Sequence, residues 1–145
     1  MRKRACISLL ALSLVVSALA VAPASAKSPL EMRAQVPFDY HVGDKLMSAG
    51  DCTVTAINSD GTAIRIRTKG GESVMALTNG KRAKSSKSSP RLVFHKYGDQ
   101  YFLAAVWGED VIGRTLPESS RERNARRSRE VAGNAKMEVV TIAAR

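Results

Sequence analysis

The sequence predicts an all-β domain, a mainly antiparallel small barrel or sandwich of seven to eight strands, with one C-terminal surface helix followed by a last strand. Three observations lead there. Apolar residues recur at every second position in short runs, the period of a half-buried strand. Turn-forming residues separate these runs at intervals too short for a crossover, so neighbouring strands pair antiparallel. From about Pro117 the alternation gives way to charged helix formers, and it resumes only after Gly133-Asn134. Many short strands with a single helix fit a small barrel or sandwich.

The elements follow in order. Val36, Phe38, Tyr40 and Val42 alternate and predict a first strand, placed at an edge or strand start because Pro37 lacks an N–H. Gly43-Asp44-Lys45 and Ser48-Ala49-Gly50-Asp51 are turns, and Cys52, Val54 and Ala56 mark the inner face of a second strand. Asn58-Ser59-Asp60-Gly61 is a hairpin signal. The third strand, about 62–68, places Ile64 and Ile66 inward and Arg65 and Arg67 outward. Lys69-Gly70-Gly71-Glu72 turns the chain into a fourth strand, about 73–78, closed by Asn79-Gly80. Lys81 to Ser89 is basic and Ser-rich and reads as a loop. Arg91–Tyr97 and Gln100–Trp107, joined by Gly98-Asp99, are the fifth and sixth strands; the sixth is apolar on both faces and belongs near the middle of the sheet. A short strand near Val111-Ile112 follows. The helix is expected over about 117–132, with Pro117 in its first turn and a favourable Glu122 to Arg126 pair. Leu116, Ala125 and Val131 are its few apolar anchors, and Met137 to Ala143 alternates as the final strand.

The chain opens with Met1-Arg2-Lys3-Arg4, then an apolar run from Ala5 to Ala22, then Pro23-Ala24-Ser25-Ala26. A basic start, an apolar middle and a small-residue A-x-A end predict a cleavable Sec-type signal peptide over residues 1–26 and a periplasmic or secreted product. Residues 27–35 read as an N-terminal arm and 36–145 as a single β domain, with no membrane span left after cleavage. The signal holds three basic residues and no acid, so the mature chain carries 20 basic and 13 acidic residues, a balance of +7. Such a charge suits a surface that meets anions. Only Cys52 remains in the mature chain, which rules out an internal disulfide or a cysteine metal cluster; its phase with Val54 and Ala56 predicts a buried thiol.

Motifs for chemistry are sparse. His41 has Asp39 and Asp44 nearby, and His95 alternates with Val93 and Tyr97, but no H-x-x-x-H or H-E-x-x-H spacing is present. There is no G-x-S-x-G elbow and no phosphate-cradling glycine loop. Glu109-Asp110, the one adjacent carboxylate pair considered, reads as a solvated turn. A non-catalytic protein without cofactor or metal is therefore expected.

Three stretches carry a resemblance: Val36-Pro37-Phe38-Asp39-Tyr40-His41-Val42-Gly43, Leu92-Val93-Phe94-His95-Lys96-Tyr97-Gly98-Asp99-Gln100-Tyr101-Phe102-Leu103, and Gly113-Arg114-Thr115-Leu116-Pro117-Glu118-Ser119-Ser120-Arg121-Glu122. Together they resemble a set of small exported β-domain proteins of soil-type bacteria that open with V-P-F-x-F/Y-x-V-G. The chain departs from the set at Met47 to Val54, where Cys52 stands in place of an aromatic. The resemblance implies export and a β domain, and brings no activity with it.

The expected role is a binding or envelope-associated module. Two more specific readings stand beside it. One is a polyanion-binding surface that meets anionic envelope polymers through Lys81, Arg82, Lys84, Lys87 and Arg91 and through Arg123, Arg126 and Arg127 on the helix. The other is a carrier of a small apolar ligand, with a cavity lined by Phe38, Tyr40, Phe94, Tyr101 and Trp107.

Overall fold

A computed structural model describes residues 30–82, 89–109, 112–133 and 136–145, with backbone only at Arg82 and Ile112. The expected signal peptide lies outside the described residues. Eleven strands and one helix are present among them: β1 Glu31–Val36, β2 Tyr40–Val42, β3 Lys45–Met47, β4 Gly50–Ala56, β5 Ala63–Thr68, β6 Ser73–Leu77, β7 Asn79–Arg82, β8 Arg91–Tyr97, β9 Gln100–Trp107, β10 Ile112–Thr115, α1 Ser120–Val131 and β11 Glu138–Ala143. The class is the one the periodicities predict: mainly antiparallel β, including a half-barrel, with a helix near the C-terminus and a last strand after it.

One sheet has the order β1-β4-β5-β6 and the other β11-β8-β9-β10-β7, with β2 and β3 attached to β9. The apolar β9 is interior to its sheet, as its sequence requires. Its contact with β2, His41 opposite Phe102, is the parallel pairing in an otherwise antiparallel structure. The two sheets meet at both ends. Ala34 bridges Ala144 on one side. On the other, β6 runs on through Thr78, whose N–H bonds to the Thr62 carbonyl at 2.7 Å, into β7, which pairs with β10 instead. One strand thus serves two sheets, the corner device of orthogonal β packing.

Four expectations change in detail. The arm of residues 27–35 is already strand from Glu31, with Met32, Ala34 and Val36 buried against the core. The alternation of residues 36–42 is not one strand. Pro37 has no N–H for the ladder, and Asp39 turns its carboxylate to the Ala49 N–H at 2.7 Å, so the chain leaves one sheet and restarts at Tyr40 on the other. Lys81 and Arg82 are not loop but β7, because Gly113 and Ile112 offer them a partner strand. The helix begins at Ser120 and not at Pro117, since the Ser119 hydroxyl accepts the Glu122 N–H and sets the cap. These short extra segments raise the strand count above seven or eight.

Two tight hairpins depend on glycine. Gly43 and Gly98 each occupy the first position of a two-residue loop at φ 61° and 69°. That is the geometry of a type II′ turn, which a side chain disfavours.

A single core lies between the sheets. Tyr40 and Phe94 are fully buried with ring centroids 5.3 Å apart, and Phe38 meets Phe94 edge-on at the same distance. Edge-to-face pairs contribute roughly 0.5–1.5 kcal/mol each beyond simple burial. Cys52 is buried beside Tyr40, and burial pushes its thiol above the usual value. His41 is buried and stacked on Phe102.

Of the expected apolar anchors Leu116 packs against the core, and the helix itself is held by polar contacts. Val131 is exposed, while Glu122 is buried and receives His95 Nδ1 at 2.7 Å. Asp44 accepts the Arg121 N–H at 3.0 Å at the helix start. The expected Glu122–Arg126 pair therefore does not form. Glu122 points to the sheet, and Arg126 lies between Glu118 at 2.9 Å and Glu130 at 2.8 Å.

Two predictions follow from this packing. Gly113 sits under Trp107, and a Cβ there would come within 2.4 Å of the indole. Gly113→Ala should cost about 1–3 kcal/mol of stability, read as a lower urea midpoint at unchanged m-value. His41 is held below the ordinary histidine value of 6.5, mainly by burial and then by the Arg121 guanidinium. The unfolded chain takes up a proton that the native ring resists, so stability is full above that pH and falls as pH drops below it. The urea midpoint should therefore decline between about pH 7 and pH 5, and His41→Phe should flatten the decline.

Candidate functional site

Strand register brings outward-facing residues of distant segments into two transverse rows. Arg33 and Arg145 exchange both backbone hydrogen bonds, at 2.7 and 2.9 Å. Arg33 stands opposite Thr53, and Thr53 opposite Arg67. The first row therefore reads Arg145, Arg33, Thr53, Arg67. In the second row Gln35 is opposite Asp51, and the Lys69 N–H bonds to the Asp51 carbonyl at 2.9 Å. Between the rows lie Ala144, Ala34, Cys52 and Thr68, which face the other way; Ala34 and Cys52 belong to the core. Their backbone floors an open groove of about 1000 Å³ whose walls are the two rows.

The charge of this groove is lopsided. Arg33, Arg67, Lys69 and Arg145 line it, and Asp51 is the one acidic side chain among the described residues that lines it with them. Among the described residues none of the four cations makes an ion pair; the pairs present are His95–Glu122, Lys96–Glu138, Arg123–Glu118, Arg126–Glu118 and Arg126–Glu130. Arg33 and Arg145 are like charges directly opposite on one face, an arrangement that opposes folding. The cations stand at the two ends of these rows, Arg145 with Arg33 at one and Arg67 with Lys69 at the other. Thr53 and Asp51, on β4, lie between them, and Gln35 is on β1 beside Asp51. Arg33 and Arg67 are two strands apart, about 10 Å.

The cations expected to bind anions are distributed elsewhere. Lys81 is exposed on β7, beside the backbone of Arg82, and Lys84 and Lys87 lie outside the described residues. Arg91 bonds to the Ser89 carbonyl and places its guanidinium 5.0 Å from the centre of the Trp107 ring. Arg123 and Arg126 are engaged by Glu118 and Glu130, and Arg127 is exposed on the helix. The groove draws on none of them. Sequence reasoning found Arg67 as an outward strand residue but did not find Arg33, Lys69 or Arg145 as partners for it. The signal available was their common phase, since Arg33 alternates with buried Met32 and Ala34 as Arg67 does with Ile66 and Thr68.

The aromatic residues expected to line a cavity pack on one another. Tyr40 and Phe94 are core. Phe38 stacks on Tyr101 with centroids 3.8 Å apart, Lys96 approaches the far ring at 5.8 Å, and Trp107 covers Gly113. A second depression, about 580 Å³ between α1 and the β8–β9 turn, is lined by Tyr97 but by none of these five. No group of three or more metal-ligating side chains stands together among the described residues. Asp39 and Asp44, the carboxylates near His41 in sequence, are engaged by backbone N–H groups.

Comparison of the chain with protein-family models, with curated proteins and with solved structures found no match.

The unneutralised row has a consequence for stability. Arg33→Gln removes one of two facing like charges and no ion pair, and should stabilise the fold by roughly 0.2–0.5 kcal/mol at low ionic strength. The gain should vanish in high salt as screening removes the repulsion, a trend that thermal melts at two salt concentrations would display.

Proposed function

We propose that the mature chain is an exported, non-catalytic binding module that holds an anionic polymer of the cell envelope in the groove between Arg33, Arg67, Lys69 and Arg145. The observation that carries this reading is the absence of ion-pair partners for these four cations among the described residues, although they line one groove. Arg123 and Arg126 on the helix of the same molecule do find carboxylates. A groove whose cations are left to solvent gains more from an incoming anion than a surface already paired. The basic start, apolar run and A-x-A end of residues 1–26 support export. The surplus of +7 in the mature chain adds a long-range attraction for polyanions.

Retention on immobilised heparin, a sulfated polyanion, tests the reading. The protein should bind at low salt and elute as salt rises, because counterions compete for each contact. Arg33→Gln and Arg67→Gln should each elute earlier. Each should also lower the slope of log K against log salt by about one. Arg127→Gln on the helix removes the same charge outside the groove and should change elution little. Equal shifts for groove and helix variants would replace the groove with a diffuse charge effect and overturn the proposal.

A further inference from the structure

The groove is not a uniform basic stripe, and its interior points to a ligand class. Resting on the anion-binding reading above, we infer that the groove takes an anionic polysaccharide, a chain whose acid-bearing units also carry hydroxyls.

Three observations lead to this class. First, the cations stand at two ends of the groove about 10 Å apart, two strand spacings, and not in a continuous run. Second, the positions between the two ends are Thr53 and Asp51, with Gln35 opposite Asp51. Thr53 and Gln35 both donate and accept hydrogen bonds, whereas an ionised Asp accepts only. The Asp51 carboxylate makes no ion pair with Lys69 although the Lys69 N–H bonds to the Asp51 carbonyl. Its oxygens are left for donors that a ligand brings. A polymer charged at every unit and without hydroxyls, such as polyphosphate, meets repulsion there and offers no donor. A glycan offers hydroxyls to Asp51 and acid groups to the arginines on either side. Third, no aromatic side chain lines the groove. Single-stranded nucleic acids are held largely by stacking bases on such side chains, so the lining disfavours them.

The Asp51 carboxylate therefore separates the candidates by the sign of its effect. The experiment uses the mature chain and three labelled probes of matched length in fluorescence anisotropy: polygalacturonate, linear polyphosphate and single-stranded DNA. Polygalacturonate should bind tightest. Asp51→Ala should weaken polygalacturonate several-fold, because its hydroxyls lose their acceptor. The same change should strengthen polyphosphate and DNA, because a repulsive charge is gone. Gln35→Ala should weaken polygalacturonate and leave the other two unchanged. Circular dichroism and melting temperature establish that each variant is folded. If Asp51→Ala strengthens all three probes, Asp51 only repels and the glycan assignment is overturned, while the anion groove stands. If Arg33→Gln and Arg67→Gln leave all three affinities unchanged, the groove reading fails and the glycan assignment fails with it.

Discussion

Arg33 and Arg145 exchange two backbone hydrogen bonds, at 2.7 and 2.9 Å, and with the Ala34–Ala144 bridge these join the two sheets. Without this seam β1 would be an edge strand with a bare row of amide groups, a liability in any sheet. With it, the small inward residues Ala34 and Ala144 close over one end of the core, and β4 and β5 are held in register beside the last strand. The seam also fixes where side chains on the outer face must stand. Two residues that exchange hydrogen bonds across an antiparallel pair point the same way. The arginines are thus placed side by side by the same bonds that complete the fold.

The remaining elements are attached to this frame mainly through polar contacts. The helix has almost no apolar face, so burial cannot hold it. Glu122 takes that role instead, receiving His95 from the sheet, while Asp44 caps the first turn from a hairpin on β2 and β3. A buried carboxylate with a directional partner specifies one docking geometry more sharply than a greasy contact would. In the interior the aromatic side chains fill the space between the sheets, with Tyr40 and Phe94 at the centre. The larger open volume is on the outside, over the seam.

The proposed binding site accordingly lies on a sheet face and not on loops or on the helix. The helix carries more arginines, and two of them, Arg123 and Arg126, pair with Glu118 and Glu130. The groove carries fewer, and Asp51 is the acidic side chain that lines it with them. Local charge balance, more than the number of cations, decides which surface attracts an anion. The repulsion between facing arginines is a cost that folding tolerates because the seam beneath is hydrogen-bonded and the core behind it is closed.

Period-two alternation is local, and so Cys52, Val54, Ile64 and Ile66 were legible as inward residues, Arg67 as outward and β9 as an interior strand. Glycine turns and the charged stretch before Gly133 were legible for the same reason, since each acts within a few residues. Where alternation stops was less legible. It runs through Pro37 although the chain changes sheets there, because the break is made by an Asp39 contact with Ala49. The Glu122 contact was hidden similarly, since an i,i+4 pair with Arg126 satisfies local rules and the competing partner lies 27 residues away. The groove required most from tertiary structure. Arg33, Arg67 and Arg145 are spread over 113 positions of the chain. Their phases are local facts, but a shared row depends on the register of four strands, and register is set by which core residues interdigitate across the whole fold.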